Sequence, residues 1–185
     1  MIETMADSRN FQPLGKSLLH RISSLSWQRG ISNFYTESVP FSFSTSYEYA
    51  TLCATLIHDF YQQTKTPLTI LEPGAGNGIF AKKCIQSLTK QHIPFDYTLS
   101  EHTSELTKSL NTLTITKDSN IHTKTHDIHN LNLQTPHNVI ILNYLLDTCP
   151  VHCLERNKNT LYEWKVDVSI KEDARVDLFI NNTLT

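Results

Sequence analysis

The segment LTILEPGAGNGIFAKKC, positions 68–84, constrains the fold more than any other part of the chain. Its four opening residues, Leu-Thr-Ile-Leu, are mostly apolar and lie between Pro67 and Pro73-Gly74. That makes a short buried strand the better reading, although periodicity alone does not separate strand from helix over so short a run. Glycines then occupy every second position, 74, 76 and 78, and Phe80, Cys84, Ile85 and Leu88 follow at helical spacing. Glycine tolerates positive φ and has no Cβ, so a turn built this way lets backbone come close to a ligand. Strand, glycine turn and helix together form the opening unit of an α/β fold.

The rest of the chain supports that class. Positions 95–99 read as a second strand, 103–110 as a helix, 121–125 as a third strand and 139–142 as a fourth, strongly apolar one. Alternation of strands and helices predicts a parallel sheet. Upstream, Leu14, Leu18, Leu19, Ile22 and Leu25 predict an amphipathic helix over 13–25, and an aromatic, Ser-rich connector covers 33–44. Thr45 and Glu48 form a T-x-x-E capping box for a further helix, with Leu52, Cys53, Leu56, Ile57, Phe60 and Tyr61 on its inner face. Beyond Pro150 the pattern becomes that of an antiparallel hairpin: 153–156, a turn at 157–159, then Tyr162, Trp164, Val166 and Val168 alternating with polar residues. Positions 176–180 read as one more strand. The predicted division is a helical or lid segment (1–44), a Rossmann-like ligand-binding domain (45–150) and a hairpin with a final strand (151–185) belonging to the same domain.

Bulk properties narrow the function mainly by exclusion. The chain has 185 residues, 39% apolar and 18% charged, with a formal net charge of -2. Without clustered Lys and Arg there is no electrostatic basis for nucleic-acid binding. No stretch approaches the roughly 20 apolar residues of a membrane span. A secretory leader is absent from the pattern, which predicts a cytoplasmic protein; a mitochondrial address stays open because Arg9, Lys16, Arg21 and Arg29 lie in a Ser-rich segment. The four cysteines, 53, 84, 149 and 153, are expected as free thiols. His122, His126 and His129 do not share one strand face, and Cys149, His152 and Cys153 lack a second ligand pair, so no metal is predicted. Phe34, Tyr35, Phe41 and Phe43 suit either a lid over the ligand or packing against the sheet.

The glycine spacing is G-x-G-x-G rather than the G-x-G-x-x-G of dinucleotide sites, and Glu72 stands before it. A helix N-terminus that meets no phosphate, with an acid beside it, favours S-adenosylmethionine, whose methionine portion is cationic, over a nicotinamide dinucleotide. Glu101 ends the second strand, 23 positions beyond Gly78, where a carboxylate can accept both hydroxyls of a ribose. The expected geometry is a bare bend at 74–78 facing Glu101 across a pocket sized for an adenosyl group. Asp127 would receive the adenine amino group while Ile128 packs on the ring; an ordinary surface turn is the competing reading of that pair.

On these residues, ILEPGAGNG resembles motif I of class I S-adenosylmethionine-dependent methyltransferases, and Glu101, Asp127 and ILNYLLD follow in the order of that family's later motifs. A closer resemblance is to the MidA-like family, which includes a mitochondrial methyltransferase of respiratory complex I assembly. LLHRISSLSWQRGISNFYTES resembles its N-terminal helical region, and FSFSTSYEYATL its threonine-serine helix start. NYLLDTCPVHCLERNKNTLYEWKV is similar to its N-E-x-x-D-x-x-P-V-H segment and following hairpin. The resemblance runs from about position 14 to 168. It implies a protein substrate, arginine in particular, with Asn143 and Asp147 at the reacting end of the cofactor. It further implies that Glu72, Gly74, Ala75, Gly76, Gly78, Glu101, Asp127, Ile128 and Asn143 bind S-adenosylmethionine. Two departures stand out: Tyr144 replaces the family's Glu, and the turn reads Pro-Gly-Ala-Gly where the family has Gly-Pro-Gly. The sheet is also short of strands for a class I fold. The chain is then either a fragment or a reduced member whose open sheet edge is covered by a partner or a second copy, and a noncatalytic binding or assembly module is the alternative function.

Overall fold

The computed structural model describes residues 10–28, 41–113, 115, 118–128, 136–170 and 176–184. In chain order the first elements are β1 (Gln12–Pro13), α1 (Leu18–Gln28), α2 (Phe41–Ser44), α3 (Tyr47–Thr64), β2 (Leu68–Pro73), α4 (Ile79–Lys90) and β3 (Phe95–Glu101). There follow α5 (Ser104–Leu110), β4 (Ile121–Thr125), β5 (Val139–Ile140), β6 (Cys153–Asn157), β7 (Thr160–Ile170) and β8 (Val176–Leu184). They fall into two compact units, one of residues 28–146 and one of 1–27 with 147–185. The boundaries differ from 1–44, 45–150 and 151–185 because β1 pairs with β7, which draws the N-terminal segment to the hairpin.

The 28–146 unit is a parallel sheet in the order β4-β3-β2-β5. Ile70 pairs with Tyr97 on one side of β2 and with Val139 on the other. One face of this sheet presents Leu68, Ile70, Tyr97, Leu99 and Ile121 to the helices, where Ala50, Ala54, Ile57, Phe80, Ala81, Cys84, Ile85 and Leu88 complete the core. The inner residues of α4 are those its periodicity predicts.

The inner face of α3 differs from expectation. Its N-cap is Ser46, whose hydroxyl accepts from Tyr49 N at 3.0 Å, rather than Thr45. The buried line is Ala50, Ala54 and Ile57, with Tyr49, Cys53 and Tyr61 against the core, and Leu52 and Leu56 are 56% and 63% exposed. The two alanines let α3 approach α4, so the face was chosen by helix-helix fit rather than by side-chain hydrophobicity.

β3 extends to Glu101, two residues past its predicted end, because Ser100 and Glu101 pair with Lys124 and Thr125 of β4. β4 has its predicted bounds. β5 is shorter than 139–142, although Ile141 N still donates to Leu71 O at 2.8 Å. Thr103 caps α5 through a bond from Leu106 N.

In the second unit β7 is the middle of an antiparallel sheet. β6 pairs along 160–164, β1 meets Lys165 and Val166, and β8 runs along the opposite edge from Tyr162 to Ile170. The hairpin and final strand are where the sequence predicts them, with β8 longer than 176–180 because β7 offers partners as far as Tyr162. The helix expected over 13–25 begins only at Leu18. Gln12 and Pro13 are taken into β1, Gly15 N donates to Val151 O at 2.9 Å, and the Ser17 hydroxyl accepts from His20 N at the helix start. Among the described residues no helix is long and apolar enough to cross a membrane.

Candidate functional site

The C-terminal ends of all four parallel strands lie along one edge of the sheet, the edge at which open α/β sheets bind ligands. At the end of β2 the chain bends through Gly74, Gly76 and Gly78, with φ of 67°, 60° and 69°. Each is in the left-handed region, costing an L-residue roughly 1–2 kcal/mol. Gly78 then starts α4, and Lys82 N donates to its carbonyl at 2.9 Å.

Space distinguishes the glycines further. A Cβ on Gly74 would lie 2.7 Å from Leu145 Cδ1, and one on Gly78 would lie 2.4 Å from Leu113 Cδ1. At these two positions the missing side chain admits the protein's own leucines. Between them, Ala75 and Gly76 present their amides to the protein itself.

Both of those amides are held by the end of β3. Ala75 N donates to Ser100 O at 3.1 Å, and Gly76 N donates to Glu101 Oε1 at 2.6 Å. Glu101 thus touches the bend directly instead of facing it across an open pocket, because a buried carboxylate and a left-handed loop amide satisfy each other. Its other oxygen lies 3.7 Å from His102 Nδ1. Burial raises its pKa, and the Gly76 amide and His102 act in the opposite sense.

Glu72 lies beneath the bend rather than on it. It is 2% exposed, and Tyr97 Oη donates to its Oε2 at 2.6 Å. Burial pushes its carboxyl up to about 8, with the Tyr97 hydroxyl opposing and the Glu101 charge adding to the rise. A carboxyl largely neutral near pH 7 is poorly suited to holding the cationic methionine portion expected of it.

The neighbouring strand ends carry the other predicted residues. His126 N donates to Glu101 O at 2.9 Å, so Asp127, exposed, and Ile128, half-buried, follow β4 beside Glu101. On the far side of β2, Asn143 Nδ2 donates to Ser44 O at 3.1 Å. Tyr144 adopts φ 54° and is 47% exposed, and Leu145 packs on Gly74. Asp147 falls in the other unit, in a short 3₁₀ turn, and its side chain is outside the described residues.

Sequence reasoning missed Tyr97, His102 and Lys83, whose Nζ donates to Thr45 O at 2.5 Å. A tyrosine between Phe95 and Leu99 on the inward face of β3 was the one available signal. Of the aromatic lid candidates, Phe34 and Tyr35 and the side chain of Phe41 lie outside the described residues, and Phe43 is exposed with its ring 5.4 Å from Tyr49. His129 also lies outside them, and all four cysteines are free. Among the described residues no three His, Cys, Asp or Glu side chains are placed to hold a metal ion.

A parallel sheet with a glycine turn after one inner strand and an acid ending the next defines a Rossmann-like α/β protein of the nucleoside-binding kind. The chain belongs to the family described as "Putative S-adenosyl-L-methionine-dependent methyltransferase", which matches residues 52–185. Two solved structures from Burkholderia thailandensis, both of one superfamily, share the fold. One, native, has a TM-score of 0.57 at 15% identity, covering 92% of this chain and 44% of its own. The other, bound to S-adenosyl-homocysteine, has a TM-score of 0.51 at 16% identity, covering 74% of this chain and 34% of its own. The chain therefore spans less than half the length of either. No curated protein is significantly similar to it in sequence.

Proposed function

We propose that this chain binds S-adenosylmethionine at the 74–78 bend and takes part in transferring its methyl group to a protein side chain. The observation that carries the reading is the Gly76 amide held by Glu101 at the carboxyl edge of the sheet, in a chain of this family. Glu101 would accept the ribose hydroxyls through the lone pairs that Gly76 leaves free, with Asp127 and Ile128 next to it for the adenine. Bound S-adenosylmethionine supplies an electrophilic methyl group on a sulfonium centre. The contribution of this chain is chiefly orientation, since an in-line displacement depends on bringing the acceptor into line. Asn143, tied to Ser44 O, is suited to orienting it. By the MidA-like resemblance the acceptor is an arginine side chain.

Isothermal titration of S-adenosylhomocysteine tests the site. Gly76→Val and Glu101→Ala should each weaken binding by about tenfold or more, which is about 1.4 kcal/mol. Unchanged affinity in both variants rejects the pocket.

A second reading, cofactor binding without transfer, is favoured by the sheet, which among the described residues has four parallel strands with the two-residue β5 at one edge. On that reading a partner or a second copy covers the edge at β5. Labelled S-adenosylmethionine incubated with protein extract separates the two: label on protein discards the second reading.

A further inference from the structure

Along the core face of β3 the side chains of Tyr97, Leu99 and Glu101 follow one another, and the two polar ones reach toward β2 and its turn. Tyr97 Oη holds Glu72, the penultimate residue of β2, and Glu101 holds Gly76, four residues further on. Both bonds are 2.6 Å, and both carboxylates are almost fully buried. Tyr97 itself is completely inaccessible. The strand end that launches the glycine bend is thus clamped twice by one neighbouring strand, below the bend and on it.

We propose that Tyr97 is a positioning residue for the ligand-binding bend, and that Glu72 serves as its hydrogen-bond acceptor rather than as an ionic contact to the ligand. The effect on cofactor affinity rests on the function proposed above. The effect on the bend does not. Glu72 faces Tyr97 and Glu101 from β3, Cys53 from α3 and Cys84 from α4, and none of these groups is a cation. A charged role for Glu72 would need a compensating positive partner inside the core. The Tyr97 bond needs only an acceptor oxygen, which a Gln at position 72 also provides.

The test uses the whole chain and two readouts, titration of S-adenosylhomocysteine and the amide resonance of Gly76. In Tyr97→Phe the Gly76 amide resonance should move, and the Kd should rise about fivefold with the binding stoichiometry unchanged. A merely structural defect would instead lower the stoichiometry of competent protein and leave the Kd alone. Glu72→Gln should keep the Kd within about twofold, while Glu72→Ala should behave like Tyr97→Phe. The proposal is overturned if Tyr97→Phe leaves both Kd and resonance unchanged, or if Glu72→Gln loses as much affinity as Glu72→Ala. Should the unaltered chain take no S-adenosylhomocysteine, the cofactor reading fails by itself. The Gly76 resonance then still decides the positioning claim, for it if the signal moves in Tyr97→Phe and against it if the signal stays.

Discussion

The two units spend their residues differently. In the 28–146 unit a parallel sheet buries a full face under α3, α4 and α5, with Leu68, Ile70, Tyr97, Leu99 and Leu110 wholly inaccessible. In the other unit, among residues whose side chains are described, only Ser17 and Val166 are buried, and every residue of β6 is exposed. Its His152–Glu163 pair, 2.5 Å apart with the imidazole 62% exposed, contributes little in water. Carboxylates at the end of the parallel sheet sit where burial controls their protonation and where a single hydroxyl can hold a loop. The hairpin offers a backbone framework without such an interior. Chemistry that depends on tuned groups is therefore expected in the first unit.

The hardest test of that contrast is Gly78→Val. A β-branched side chain at φ 69°, aimed at Leu113, Leu110 and Leu99, should abolish folding of the parallel unit. The amide spectrum should show loss of dispersion for 41–128; a folded variant with native shifts would refute the packing role assigned to this glycine.

Next in size is the pH dependence set by Glu72. An ordinary glutamate has a value near 4.5, and burial raises this one to about 8, so the folded state keeps a proton that the unfolded chain releases. The stability carried by Glu72 is whole below pH 4.5, declines between 4.5 and 8, and is gone above 8. Several kcal/mol are at stake, at about 1.4 kcal/mol per pKa unit. Denaturant titrations at pH 5, 7 and 9 should show the decline in the unaltered chain and a flatter profile in Glu72→Gln. Equal slopes would contradict the buried, neutral assignment.

The smallest effect is expected in the hairpin. Leu154 is 52% exposed, so Leu154→Ser should cost less than about 0.5 kcal/mol by the same titration. A loss above about 2 kcal/mol would mean that β6 has an interior this comparison denies it.

The local elements were legible where a one-residue signal carried them. Thr103 marked the start of α5, the glycines marked the bend, and β4 stood out by its flanks. What escaped was set by partners distant in sequence. Thr45 looked a better cap than Ser46 until Lys83 took its carbonyl. Leu52 and Leu56 outranked Ala50 and Ala54 in hydrophobicity, yet the small residues met α4. Gln12 and Pro13 read as the approach to a helix and became a strand because β7 was there to pair with them.

The same division runs through the candidate site. Sequence alone located the bend and the acid beside it, since glycines at alternate positions and an acid at the next strand end are local consequences of backbone geometry and strand length. Only the tertiary structure decided what each acid does. Glu101 meets a loop amide and Glu72 meets a tyrosine hydroxyl in the core, because the parallel register of β2 and β3 sets which polar groups come within reach, and burial then sets the charge each can hold.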